Sequence, residues 1–149
     1  WIWFILPQLA CLGSSYHAVW YGIKSFPEAQ RYLHDNLLGL HLIEISQEIL
    51  KKLKNGSQIR TLMGSGIDAA KLLSCVTLFY FVSYQTNHEM LFKQLRQICE
   101  KKLKRQDNKT IEFCEISMEK LNLEIPQDHK IDYIEQKEDN NDNNNNDNN

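Results

Sequence analysis

No two of the four cysteines, Cys11, Cys75, Cys99 and Cys114, are spaced C-x-x-C. A redox pair, a zinc ribbon and a dense disulfide framework are therefore not encoded locally. Cys75 and Cys99 fall among apolar positions of expected helices, which reads as reduced core thiols and a cytoplasmic setting. Long hydrophobic runs are also missing. The Trp1–Gly13 stretch has no basic flank and is shorter than the roughly 20 residues that span a bilayer. Leu72–Val82 is shorter still and contains Ser74, Thr77 and Tyr80. Both are expected as buried segments, with no membrane partner. A large excess of one charge is absent as well: the whole chain carries −2. Residues 135–149 hold a local −4, leaving +2 for residues 1–134, which argues against a dedicated nucleic-acid surface. There is no P-loop, no H-E-x-x-H and no nucleophile elbow. The five histidines share no metal-ligand spacing with one another or with the cysteines, so neither metal nor cofactor is expected.

Apolar residues make up 42% of the chain, but unevenly. Residues 138–149 contain only Glu, Asp and Asn, and such a segment has nothing to bury against the entropy of ordering it. The expected organisation is one helical domain over residues 1–120, then a linker and a disordered acidic tail over 121–149. At the other end, Trp1-Ile2-Trp3-Phe4-Ile5-Leu6-Pro7-Gln8 is the most apolar stretch and has no initiator Met. It is expected to pack against the bundle and to belong to a domain whose first element is missing.

Helix signals fill the interval. Ser14 or Ser15 can cap Tyr16–Gly22, and Ser25-Phe26-Pro27-Glu28 is a capping box with Pro in the first turn. Asp35 or Asn36 can cap a longer helix whose Leu38, Leu42, Ile45, Ile49, Leu50 and Leu53 recur at helical spacing, stopped by Asn55-Gly56. Gly64-Ser65-Gly66 precedes a segment in which almost every residue from Ala69 to Val82 is apolar or small. Val76–Val82 also fits a strand, but length and the neighbouring helices favour a helix. Gly64 and Gly66 would let a backbone approach phosphate, though a plain helix connection is the simpler reading. Thr86 and Glu89 form a second capping box. The helix after it sets Leu91, Leu95, Ile98 and Cys99 on one face and Lys93, Arg96, Lys101, Lys102, Lys104 and Arg105 on a solvated basic face. Asp107 then starts a last helix. The fold class is mainly α.

These residues carry a resemblance. The opening Trp1–Gln8 string, Leu12-Gly13-Ser14-Ser15, Tyr21-Gly22-Ile23, Glu28-Ala29, Tyr32-Leu33-His34 and Leu38-Gly39 follow, in order, the signatures of a small family, domain of unknown function eighteen-ten. Asp68-Ala69-Ala70-Lys71-Leu72-Leu73-Ser74-Cys75-Val76-Thr77-Leu78-Phe79 is similar to its D-x-x-K-L block, and Asp107 with Thr110 resembles its closing D-x-x-T. The resemblance implies a compact, mainly helical domain and no established reaction. It also implies that an opening helix and a Lys/His-bearing loop stand before the first Trp in other members. Where the family usually carries Arg, this chain has His41 and Leu73, which cannot reproduce a guanidinium fork. The label calpastatin, attached to some bacterial members, finds no support, because Glu124-Ile125-Pro126 lacks the Thr and second Pro of a T-I-P-P core.

Polar residues embedded in the family-like blocks are the candidate ligand-binding set: Trp1, Trp3, Gln8, Tyr21, Asp68, Lys71, Ser74 and Thr77. On a helix Asp68, Lys71 and Ser74 share a face, where charge, hydroxyl and indole could meet a ligand. Bracing of the helix by an internal Asp68–Lys71 pair is the structural alternative. Two function classes follow. One is a binding or interaction module without an assignable reaction, contacting a protein partner. The other is a small-molecule enzyme or ligand-binding protein for a nucleotide or other anionic metabolite, with Trp1 or Trp3 stacking the ligand and Lys71 supplying charge. A closed core beside Trp3 and Lys71 favours the first, and a polar cleft there favours the second.

Overall fold

The structure, a computed structural model, describes residues 2–128. Trp1 and residues 129–149, most of the linker and tail expected over 121–149, lie outside the described residues. Eight α-helices occur among them: α1 Ile2–Ile5, α2 Tyr16–Tyr21, α3 Phe26–His34, α4 Leu38–Lys54, α5 Ile59–Met63, α6 Gly66–Val82, α7 Glu89–Leu103 and α8 Asn108–Lys120. No described helix is long and apolar enough to cross a membrane.

Helix α6 is the axis of the bundle. From Leu72 to Val82 every residue is buried, so this stretch can be stable only when wrapped by other helices. Ala69, Leu72, Leu73, Cys75, Val76, Leu78 and Phe79 are fully buried, with α3, α5, α7 and α8 packed around them. Val76–Val82, which also fitted a strand, is the last part of this helix. The amphipathic neighbours turn Phe26, Ala29 and Leu33 of α3, Leu42, Ile49 and Leu53 of α4, and Phe92, Leu95 and Cys99 of α7 towards it. Cys75, Cys99 and Cys114 are buried free thiols. Burial, followed by the nearby Glu100 carboxylate, pushes Cys99 up to about 12, which leaves it protonated and unreactive at neutral pH.

The helix ends follow short-range chemistry. Ser15, Ser25 and Ser65 accept hydrogen bonds from the backbone N–H groups of Ala18, Glu28 and Asp68, three residues on. Asp35 accepts from both Leu37 and Leu38, and these two bonds hold its carboxyl below the ordinary range. Two expectations change in detail. Glu28 reaches back one residue further than a capping box requires and accepts from the Lys24 N–H. Thr86 and Glu89 do not form a box, because α7 begins at Glu89 itself. Thr86 accepts from the His88 N–H, and Glu89 accepts from the Gln85 N–H.

Arg96 departs most from the sequence reading. It was placed on a solvated basic face, yet its side chain is only 4% exposed. Its Nε donates to Glu100 Oε1 at 2.7 Å, and its guanidinium lies 5.1 Å from the centre of the Tyr80 ring. One turn separates Arg96 from Glu100 on α7, so the pair can enter the core together. Lys93 of the same face is also engaged, pairing with Asp128.

Beyond α8 the chain turns at Asn122 and lies back along the bundle. Pro126 is buried, and Tyr80 Oη donates to Asp128 Oδ1 at 2.5 Å while Lys93 holds the other carboxylate oxygen. Partial burial pushes the Asp128 carboxyl up, but the Lys93 and Tyr80 hydrogen bonds outweigh it and hold the group below its ordinary value. A carboxyl with a lowered folded value contributes stability above its unfolded value, near 4, and that contribution disappears as pH falls through the folded value. Hydrogen exchange between pH 6 and pH 2 should therefore show segment 121–128 losing protection at the acid end before α6 and α7 do. An Asp128→Asn protein should lack this acid-dependent step.

Candidate functional site

The amino-terminal segment forms one wall of the site, and its placement begins with three anchors. Ile2, Leu6 and Leu9 are almost completely buried, which fixes the short α1 turn and the chain after Pro7 against the bundle. Parallel backbone bonds then clip that chain to the exit of α2: Ala10 N donates to Ile23 O at 2.8 Å, and Ile23 N donates to Gln8 O at 2.9 Å. Glycine is required where the two cross. A Cβ on Gly22 would stand 2.4 Å from Ala10 Cα. The clip leaves Gln8 buried, and Trp3 half-buried facing α6.

Opposite this wall lie the first half of α6 and the connection between α7 and α8. Between them is an open cleft of about 740 Å³. Trp3, Gln8, Lys71 and Ser74, four of the eight sequence candidates, line it together. Lys71 Nζ sits 4.3 Å from the centre of the Trp3 ring, a cation–π arrangement, and lies 3.5 Å from Asp68 Oδ1. At that distance, with both side chains about one-fifth exposed, the ion pair is weak and leaves the ammonium available.

Of the other candidates, Trp1 lies outside the described residues and the remaining three lie elsewhere. Asp68 pairs with Lys71 from behind and does not line the cleft. Thr77 is fully buried and donates to the Leu73 carbonyl at 2.7 Å, a bond internal to α6. Tyr21 is on the outer surface, stacked on His17 and edge-on to Phe4. Ser74 donates to the Ala70 carbonyl at 3.2 Å while lining the cleft. His41 and Leu73, which stand where the family usually has arginine, do not line it either, the first exposed and the second fully buried.

Further lining residues come from the α7–α8 connection and were not among the candidates: Arg105, Gln106, Asn108 and Lys109. The signal that could have found them is the run Lys101-Lys102-Leu103-Lys104-Arg105 immediately before the helix-capping Asp107. Basic side chains there bracket a helix start, where backbone N–H groups also project. Asp107 is the only carboxylate among the lining residues, and it is already spent: its two oxygens accept from the Thr110 N–H at 3.3 Å and the Thr110 hydroxyl at 2.6 Å. This is the physical content of the D-x-x-T signature, a helix cap. Lys104, in the left-handed conformation at φ 53°, turns the chain from α7 into the connection.

The cleft therefore carries more basic than acidic side chains. Lys71, Arg105 and Lys109 share the described lining with the occupied Asp107 carboxylate, and Asp68 reaches Lys71 from outside that lining. Trp3 Nε1 and Gln106 Nε2 are buried without a hydrogen-bond partner, and both belong to lining residues. The first residues of α6 and of α8 also form part of the lining, adding the positive ends of two helix dipoles.

The family model of proteins of unknown function, DUF1810, matches residues 1–114, from the first tryptophan through most of α8. The chain belongs to this family. A solved structure similar to it is the conserved hypothetical protein Rv1873 from Mycobacterium tuberculosis. That protein is 37% identical with a TM-score of 0.62, over 75% of this chain and 74% of its own. No curated protein matches the chain. The match takes in every helix that walls the cleft, and it brings no assigned reaction with it.

Proposed function

We propose that this DUF1810 domain is a ligand-binding module for a small anionic metabolite, held in the cleft between Trp3, Lys71 and the α7–α8 connection. The observation that carries this reading is the lining itself, in which three cations, Lys71, Arg105 and Lys109, share the described lining with one carboxylate, already hydrogen-bonded to Thr110. Of the two function classes open from the sequence, the polar cleft beside Trp3 and Lys71 favours the second. The volume is in the range of small-molecule sites, roughly 300–1,000 Å³. No reaction is assigned, since no nucleophile–base pair has been identified among the residues that line it. The setting we infer is cytoplasmic, supported by the buried thiols.

A thermal-shift screen of anionic metabolites tests the reading. A compound that binds the folded protein raises its melting temperature by mass action, by several degrees once its concentration is well above Kd. The same compound should lose most of its effect on Lys71→Ala. If no anion stabilises the protein, or the variant responds as fully as the parent, the reading fails.

A further inference from the structure

Resting on that reading, we propose that the cleft takes a ligand carrying at least two phosphoryl groups, and that it reads them through their oxygens rather than through a ring. Trp3 is the only aromatic residue among the described lining residues, and its indole is already engaged, with the Lys71 ammonium over it and the His17 ring stacked at 5.8 Å. The stacking role expected for Trp3 is therefore replaced by a positioning role: it holds Lys71 through the cation–π contact. Among the described lining residues no aromatic face is left to grip a base, so recognition by them falls to the charged and N–H donors.

Those donors come from separate elements, as a ligand with several anionic groups requires. Lys71 projects from the second turn of α6, Arg105 from the connection, and Lys109 from the first turn of α8. Gly66 with Ile67, and Asn108 with Lys109, are the first two residues of their helices, where backbone N–H groups have no intrahelical acceptor. Each helix exceeds three turns, so each contributes a developed dipole. A single oxyanion would fill only a small part of the 740 Å³ that the two helix starts help to line. Two linked phosphoryl groups supply enough acceptor oxygens and negative charge for both. Just outside, Lys101, Lys102 and Lys104 extend the same positive potential and steer a polyanion inward.

Isothermal titration calorimetry at low salt decides the matter with four probes on the full chain: inorganic pyrophosphate, orthophosphate, ADP and fructose 1,6-bisphosphate. Pyrophosphate is expected to bind at least about tenfold tighter than orthophosphate. ADP matching pyrophosphate identifies a nucleoside diphosphate as the source of the chemistry, and the sugar bisphosphate matching it identifies separated phosphates. Arg105→Gln and Lys109→Gln, both exposed, should each weaken pyrophosphate by about five- to tenfold without moving the melting temperature. Equal affinity for pyrophosphate and orthophosphate, or variants that bind as the parent does, overturns the inference. If other anions from the thermal-shift screen still bind, the anion-cleft reading survives that result. If no anion binds, both fall.

Discussion

Glu100→Ala is expected to destabilise the domain by about 3–5 kcal/mol, because it leaves the Arg96 guanidinium charged and uncompensated in the core. Both side chains of the pair are 6% exposed or less, and the Arg96 Nη2 atom is already without a hydrogen-bond partner. No solvent is near enough to screen the loss, and Arg96 cannot neutralise itself by losing a proton. Replacing both partners gives the opposite expectation. Arg96→Met with Glu100→Leu removes two desolvation penalties and keeps apolar volume against Tyr80 and Phe81, so it should be neutral or stabilising. Chemical denaturation of Arg96→Met, Glu100→Leu and the double variant, beside the parent, forms a complete cycle. A Glu100→Ala loss below about 1 kcal/mol, the size of an exposed pair, would show that the pair is solvated after all.

Gly39→Ala is expected to cost about 3 kcal/mol, the upper end of ordinary overpacking. In an isolated helix the same change would stabilise by about 1 kcal/mol, so the sign itself is informative. Gly39 lies in the first turn of α4, where the chain has just left α3. A Cβ there would stand 2.1 Å from the Leu33 carbonyl oxygen and 2.7 Å from its carbon. Both are backbone atoms, which cannot rotate aside as a side chain can, so α3 and α4 would have to separate. Gly66→Ala is the control: nothing lies within 4 Å of its added Cβ, and the substitution should be neutral or slightly stabilising. Thermal melts of the two proteins should differ by more than 10 °C on the usual conversion for a domain of this size. Equal melting temperatures would mean that the α3–α4 crossing is looser than described.

Most of the helical layout was legible because it is local. Ser25, Ser65, Asp107 and Gly56 mark ends through bonds or conformations that span three or four residues, and the pattern of Leu42, Ile49 and Leu53 gives the buried face of α4. What required the fold is non-local. Whether Arg96 is solvated depends on Tyr80 and Phe81 from another helix, and an amphipathic plot of α7 cannot see them. Trp3 and Lys71, grouped as candidates from the family-like strings, line one cleft, but Arg105 and Lys109 join them only because α8 starts beside α6. Tyr21 and Thr77 sit within matching family-like strings and serve other ends, a surface stack and an internal helix bond. Sequence strings therefore pointed to the neighbourhood of the cleft, while its lining was set by which helices pack together.

The central claim is that acceptors enter the cleft between Trp3, Lys71 and the two helix starts. Titrating uniformly nitrogen-15-labelled protein with inorganic pyrophosphate, and following the Trp3 indole N–H together with the Gly66, Ile67, Asn108 and Lys109 amides, tests it residue by residue. The predicted result is saturable shifts concentrated on those five signals and abolished by Lys71→Ala. Shifts confined to the exposed Lys101–Lys104 surface, or none at saturating ligand, would contradict it.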